Sequence, residues 1–156
     1  MNLRLKIPPP IWLLMFGTLM WGLHRWLPVA TIIGSPLNRA GWLLVAGGAL
    51  IIATAMLQFR RANTTINPNT PAKASSLVTS GIFGYSRNPM YLGLSIVLSG
   101  WAIVLGSLSP WLAVPLFVLV ITRLQIEPEE AVLAVLFDEP YRTYCARVGR
   151  WFGSTG

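Results

Sequence analysis

Residues 40–59 read AGWLLVAGGALIIATAMLQF, twenty consecutive positions without a charged side chain. At 1.5 Å of rise per residue a helix of this length reaches about 30 Å, the hydrocarbon thickness of a bilayer. The run is bounded by Arg39 on one side and by Arg60-Arg61 on the other, so it reads as a membrane-crossing helix. Working outward, three further apolar runs appear: Ile11–Leu27, Met90–Leu108 and Trp111–Gln125, the last one short. Only Gly106–Pro110 separates the last two, which predicts a tight helical hairpin.

Composition agrees with this reading. The chain of 156 residues is 54% hydrophobic and only 11% charged, with a mean hydropathy of +0.59. An average soluble domain carries roughly 25% charged residues. A water-facing globule cannot be dressed with so few charges, and disordered chains have the opposite composition. The expectation is one all-α membrane domain, a four-helix bundle with a cytoplasmic C-terminal helical cap. The basic front Arg4 and Lys6 before the first run resembles a signal peptide, but no small-residue cleavage site follows, so an uncleaved first helix is expected.

The distribution of Lys and Arg sets an expected orientation. With the N-terminus inside, ten basic residues fall on the inner side and only Arg25 and Arg39 on the outer. Both termini are therefore expected in the cytoplasm, in a multi-pass protein of a prokaryotic inner membrane. The net charge of +7 is explained by this topology and by anionic headgroups. No basic stripe with stacking aromatics accompanies it, so nucleic acid is not the expected partner. One cysteine, Cys145, and one histidine, His24, exclude an intrachain disulfide, His-pair metal motifs and Ser-His or Cys-His catalysis. His24-Arg25 reads as a pair reaching the outer interface, and Cys145 as a packing residue.

Two stretches are not membrane filler. One is the connection 60–89, whose segment Asn63–Pro71 is dense in turn formers. The other is the tail 127–156. Its apolar residues Val132, Leu133, Leu136, Phe137, Tyr141 and Tyr144 fall on a helical stripe, with a break expected at Pro140. All five acidic residues, Glu127, Glu129, Glu130, Asp138 and Glu139, lie in this tail, and none lies in an apolar run. Proton-coupled transport normally needs a carboxylate inside the membrane, so that function class is disfavoured.

Read in order, the motifs are Leu77-Val78-Thr79-Ser80-Gly81-Ile82-Phe83, Ser86-Arg87-Asn88-Pro89-Met90-Tyr91-Leu92-Gly93, Glu129-Glu130 after the hairpin, then Phe137–Tyr144 and Val148-Gly149-Arg150. This series resembles the isoprenylcysteine carboxyl methyltransferase superfamily in its compact prokaryotic form, a superfamily that also embraces phospholipid methyltransferases. Asn88 stands where the family pattern has His. The resemblance implies S-adenosylmethionine as cofactor at the cytoplasmic face, a lipophilic or lipid acceptor entering from the bilayer, and no metal.

On that resemblance Arg87 and Asn88 are the candidate catalytic residues. Val78, Thr79, Gly81, Arg87, Tyr91, Gly93, Glu129, Glu130, Tyr141, Tyr144 and Arg147 are the candidate cofactor-binding set. Each also has a plainer reading. Arg87 reaches headgroups, Asn88 starts a helix, and Tyr91 and Gly93 are interfacial and packing residues. Glu129 and Glu130 complement the dipole of a helix beginning at Pro128. Residues 78–81 are ordinary linker, and Tyr141, Tyr144 and Arg147 pack the tail. Arg150 with Trp151 reads as an interfacial anchor.

The chemistry asks for no more than these residue types. Methyl transfer from a sulfonium needs binding, alignment and exclusion of water, because the cofactor carries the reactive group. The expected function is methylation of a lipophilic acceptor, with an isoprenylcysteine-like carboxylate suggested by the nearer branch. The alternatives are a phospholipid or small-amine N-methyltransferase and, in another class, a non-catalytic lipid-binding membrane protein.

Overall fold

The computed structural model describes residues 7–62 and 76–153, so the turn-rich run 63–71 lies outside it, as do Arg4, Lys6 and Lys73. Helix α1 spans Pro9–Trp26 and opens with prolines whose fixed φ suits a first turn. Helix α2 spans Gly41–Arg61, preceded by a 3₁₀ turn at Leu37–Ala40. A second 3₁₀ turn, Gly81–Gly84, leads to α3, Pro89–Leu105. After a third, Ser109–Leu112, come α4, Ala113–Ile121, and α5, Glu127–Arg147, joined by a π turn at Thr122–Ile126. Among the described residues there is no strand, only an isolated bridge between Thr31 and Ser107. The expected all-α class holds.

Two helical stretches, Leu37–Arg61 and Ser109–Arg147, are long and apolar enough to cross a bilayer, while Pro89–Leu105 is apolar but shorter. The surface of α2 suits lipid and not water: Leu43, Leu50 and Leu57 are 77%, 68% and 51% exposed. A soluble monomer rarely shows so large an apolar face.

The core is built from three stripes, each repeating every four residues. Trp12, Phe16 and Met20 of α1 meet Leu94, Leu98 and Ala102 of α3 and Ala113, Phe117 and Ile121 of α4. Phe16 sets its ring edge-on to Phe117, with centroids 5.2 Å apart. Helix α2 joins differently, burying only Gly41, Gly48 and Ala55, spaced by seven. Gly41 faces Gly100 and Gly48 faces Gly93 across an antiparallel crossing with α3. A Cβ on Gly48 would sit 2.6 Å from the Gly93 carbonyl, and one on Gly93 2.8 Å from the Gly48 carbonyl. Without a hydrophobic drive between helices in lipid, such small-residue contacts are what allow backbones to associate closely.

The hairpin between α3 and α4 turns at Gly106, whose φ of 75° favours glycine. The Gly106 carbonyl accepts from the backbone N–H groups of Ile32 and Ile33, strapping the α1–α2 connection over the hairpin. His24 is tied into the fold: its Nδ1 is 2.8 Å from the hydroxyl of buried Ser107.

Two expectations about the tail need comment. The helix does not stop near Gln125 and restart at Pro128; it runs through. Proline lacks an N–H and its ring displaces the carbonyl four residues back. The helix absorbs this as the π turn, in which the N–H of Glu127 reaches the carbonyl of Thr122. The expected break before Pro140 is present, at Asp138, whose φ of 39° and ψ of −114° are non-helical.

The glycine contacts generate a paired test. Replacing Gly48 with Ala should lower the melting temperature in detergent, by the roughly 1–3 kcal/mol that overpacking costs. A Cβ on the adjacent Gly47 meets nothing within 4 Å, so Gly47→Ala should leave the melting temperature unchanged or raise it.

Candidate functional site

The segment 77–93 and the tail 129–150 converge at one end of the bundle. Arg87 lies one residue before the α3 N-cap, Asn88. Its Nη1 is 3.0 Å from Oε1 of Glu130, and also donates to the Cys145 sulfur at 2.8 Å and the Tyr141 hydroxyl at 3.4 Å. Its side chain is only 13% exposed, so it does not reach out to headgroups. Its Nε is buried with no hydrogen-bond partner.

Glu130 is held from a second side. Arg150 Nη2 lies 2.6 Å from Glu130 Oε2, and Arg150 Nε reaches both carboxylate oxygens at 3.1 and 3.2 Å. The fork of a guanidinium matches a carboxylate in this two-point fashion. The hydrogen bonds to Glu130 raise the pKa of Arg150 further. Arg150 also serves through its backbone: its carbonyl accepts from Asn88 Nδ2 at 3.1 Å and from the Ser86 hydroxyl at 3.5 Å. Asn88 therefore spends its side chain on the tail and not on capping α3. The backbone N–H of Arg87 donates to the Gly149 carbonyl at 3.0 Å, completing the seam.

Glu129 points elsewhere. Its Oε1 accepts from the Tyr91 hydroxyl at 2.6 Å, across 38 residues of sequence. Burial is the main cause that pushes its carboxyl up to about 7; the Tyr91 hydrogen bond opposes this and the Glu130 charge adds to it. Because both glutamates bond to partners on or next to α3, the plainer reading of a dipole complement at a free helix start does not describe them.

Tyr144 is buried and donates to the Phe83 carbonyl at 2.6 Å, pinning the tail to the 3₁₀ turn. Leu77 and Phe137 pack around Tyr141 and Tyr144. Gly81, with φ of 59°, lies against Gln58 at the end of α2. In the amide orientation that satisfies both groups, Gln58 donates to the Ser80 carbonyl and accepts from the Ile82 N–H, each at 3.2 Å. Val78 and Thr79 are half-buried on the approach to this turn.

The expected set therefore divides. Arg87, Asn88, Tyr91, Glu129, Glu130, Tyr141 and Tyr144 share one bonded neighbourhood. Gly93 faces α2 and serves the helix crossing. Arg147 is exposed and makes none of the ion pairs among the described residues. Arg150, which closes the motif series and also reads as an interfacial anchor, is central here, and Ser86, which opens the 86–93 motif, meets it through the Arg150 carbonyl. The signal for Arg150 was available: a tail with adjacent carboxylates needs nearby cations when it packs.

The carboxyl of Glu129 sets an expected pH response. Between about 4.5 and 7 the folded protein keeps a proton that the unfolded chain has released, so stability falls as pH rises through that window. Melting in detergent should show the wild type losing stability from pH 5 to pH 8, and Glu129→Gln losing clearly less. Equal pH slopes in the two proteins would remove Glu129 as the titrating group.

Comparison with known proteins covers α2 through most of α5. The phospholipid methyltransferase family model matches residues 37–139. An uncharacterized protein of Haemophilus influenzae is 44% identical over 62 residues, which are 40% of this chain and 98% of that protein. Protein-S-isoprenylcysteine O-methyltransferase of Schizosaccharomyces pombe is 32% identical over 104 residues, 65% of this chain. That alignment spans 43% of the yeast enzyme's length. No solved structure matches the chain. With the motifs, the apolar helices and the matched region in agreement, the chain belongs to the superfamily of membrane methyltransferases that holds the isoprenylcysteine carboxyl and phospholipid enzymes.

Proposed function

We propose that the protein is a multi-pass enzyme that transfers a methyl group from S-adenosylmethionine to a lipophilic acceptor. In this reading α1, α2, α3 and the α4 stretch are four spans, both termini are cytoplasmic, and the convergence of segment 77–93 with the tail lies at the inner face. The single observation that carries the proposal is the bonded cluster Arg87–Glu130–Arg150 with Tyr91–Glu129 beside it, drawn from the motif series that resembles the family.

The donor set suits the cofactor. A buried guanidinium with an unpartnered Nε fits a carboxylate. A carboxylate with one oxygen already oriented by Tyr91 fits ribose hydroxyls or an ammonium group. When bound, S-adenosylmethionine supplies an electrophilic methyl group on a cationic sulfur. Glu130 has both oxygens engaged by Arg87 and Arg150, so its role is to hold Arg87 in place. Glu129 is thus the one of the pair that contacts cofactor. Arg87 would hold the carboxylate of cofactor or acceptor, and Asn88 keeps the tail closed over the site, excluding water. With Asn in place of an imidazole, no general base stands at that position, which suits an acceptor that is already ionised, such as a carboxylate. The family match by its phospholipid name favours, as a second reading, a lipid amine that arrives deprotonated.

The test is ligand-induced stabilisation. In detergent, S-adenosylhomocysteine should raise the melting temperature by mass action, about 2.7 kcal/mol at a hundred times its Kd, whereas a nicotinamide nucleotide should not. Glu129→Gln should weaken the shift, and Glu129→Ala with Glu130→Ala should abolish it. Incubation with methyl-labelled cofactor and a total lipid extract should yield a labelled lipid. Absence of any shift at millimolar ligand would favour a non-catalytic lipid-binding protein.

A further inference from the structure

Glu129 stands apart from the other carboxylates of the tail. Glu127 pairs with Arg123 and Arg150, Glu130 with Arg87 and Arg150, and Asp138 with Arg142. Glu129 makes none of the ion pairs among the described residues, although two arginines reach the glutamate beside it. Its hydrogen-bond partner is neutral: the Tyr91 hydroxyl at 2.6 Å, on a residue only 6% exposed. Tyr91 is the titratable group that faces it from α3. On its own helix Glu130 adds a negative charge beside it, and Glu127 is turned to Arg123. Arg87, before α3, and Arg150, beyond α5, are engaged by Glu130, and Tyr141 and Cys145 bond to Arg87. Among the described residues, no element brings Glu129 a cation.

A carboxyl withdrawn from water is stable in one of two ways: it keeps its proton, or it holds a cation. Without a ligand the first holds at mildly acidic pH. Burial pushes the carboxyl up to about 7, and the charge of Glu130 acts in the same direction. The phenol acts the other way, because its O–H bonds more strongly to an ionised acceptor. Tyr91 therefore orients one oxygen and keeps the ionised form within reach.

We infer that Glu129 exchanges its proton for a cationic group of the ligand, so that binding releases a proton to solvent and departure of the ligand takes one back. The step balances: a carboxylic acid and a cationic ligand give a carboxylate–cation pair and one proton. The inference rests on the proposed function, whose cofactor carries an ammonium group and a sulfonium. The exchange lets ligand enter and leave without a bare carboxylate being buried at either stage, and it makes affinity fall in acid. Tyr91 is a positioning residue in this device, acting through Glu129.

The test is titration calorimetry of the intact protein in detergent, repeated in buffers of different ionisation enthalpy, which counts the protons released per ligand bound. S-adenosylhomocysteine brings the ammonium alone, and S-adenosylmethionine brings both cations. At pH 6 the wild type should release about one proton, fading toward pH 8, and its affinity should rise roughly tenfold from pH 5.5 to pH 6.5. Release with both ligands supports the exchange and assigns it to the ammonium; release with S-adenosylmethionine alone supports it and assigns it to the sulfonium. Glu129→Gln should release no proton and bind with nearly constant affinity across that range. Tyr91→Phe, which removes the donor favouring the ionised form, should exchange with its midpoint moved to higher pH. Glu139→Gln, at an exposed carboxyl, should match the wild type. Binding without proton release, release that persists in Glu129→Gln, or a Tyr91→Phe midpoint at or below that of the wild type would overturn the inference. Should Glu129→Gln fail to fold or bind, the Tyr91→Phe midpoint decides. If neither ligand binds the wild type, the methyltransferase reading falls and the exchange with it; if they bind and no proton leaves, the exchange alone falls.

Discussion

Glu130 is gripped by arginines from two places far apart in sequence, Arg87 at the approach to α3 and Arg150 just beyond α5. A carboxylate 15% exposed loses much of its hydration, and isolated burial of such a charge is strongly unfavourable. Two guanidiniums, one of them bidentate, compensate that loss only when the tail lies against the start of α3. The position of the tail, the orientation of Arg87 and the closure of the seam by Asn88 and Ser86 all follow from this one requirement. Tyr91, one turn into α3, is brought to Glu129 by the same docking.

The adjacent glutamates thereby acquire different characters from the same residue type. Glu130 is held between the guanidiniums of Arg87 and Arg150. Glu129 is enclosed, bonded to a phenol and pushed toward neutrality by burial. A one-residue offset along a helix turns the side chain by about 100°, enough to separate a structural carboxylate from one directed at a ligand. The π turn before Pro128 sets the rotation of this stretch, so the proline is part of how the pair is aimed.

The apolar half is organised by a second constraint. Glycines spaced by seven on α2 and on α3 let two backbones touch, while α1 reaches α3 through large side chains. Unequal approach on the two flanks of α3 leaves space between α1 and α2 that a uniform bundle would fill. The indole of Trp101, which donates to the Gly17 carbonyl, bridges that space from the same helix whose first turn carries Pro89–Tyr91.

Much of this was readable from residues in order. The uncharged run 40–59, the hairpin at Gly106–Pro110, the break ahead of Pro140 and the family motifs are local or ordered patterns, and local patterns report helices, turns and kinship. That cations must attend the carboxylates of the tail was readable; the choice of Arg150 for Glu130, the face that Gly93 presents to α2, the bond between Tyr91 and Glu129 and the reach of Trp101 to Gly17 were not. Each depends on which faces of distant helices meet, and that is set by packing and by the register of the glycine crossing. Helix-forming apolarity is a property of neighbouring residues along the chain; a site is a property of surfaces that only a folded chain brings within hydrogen-bond distance.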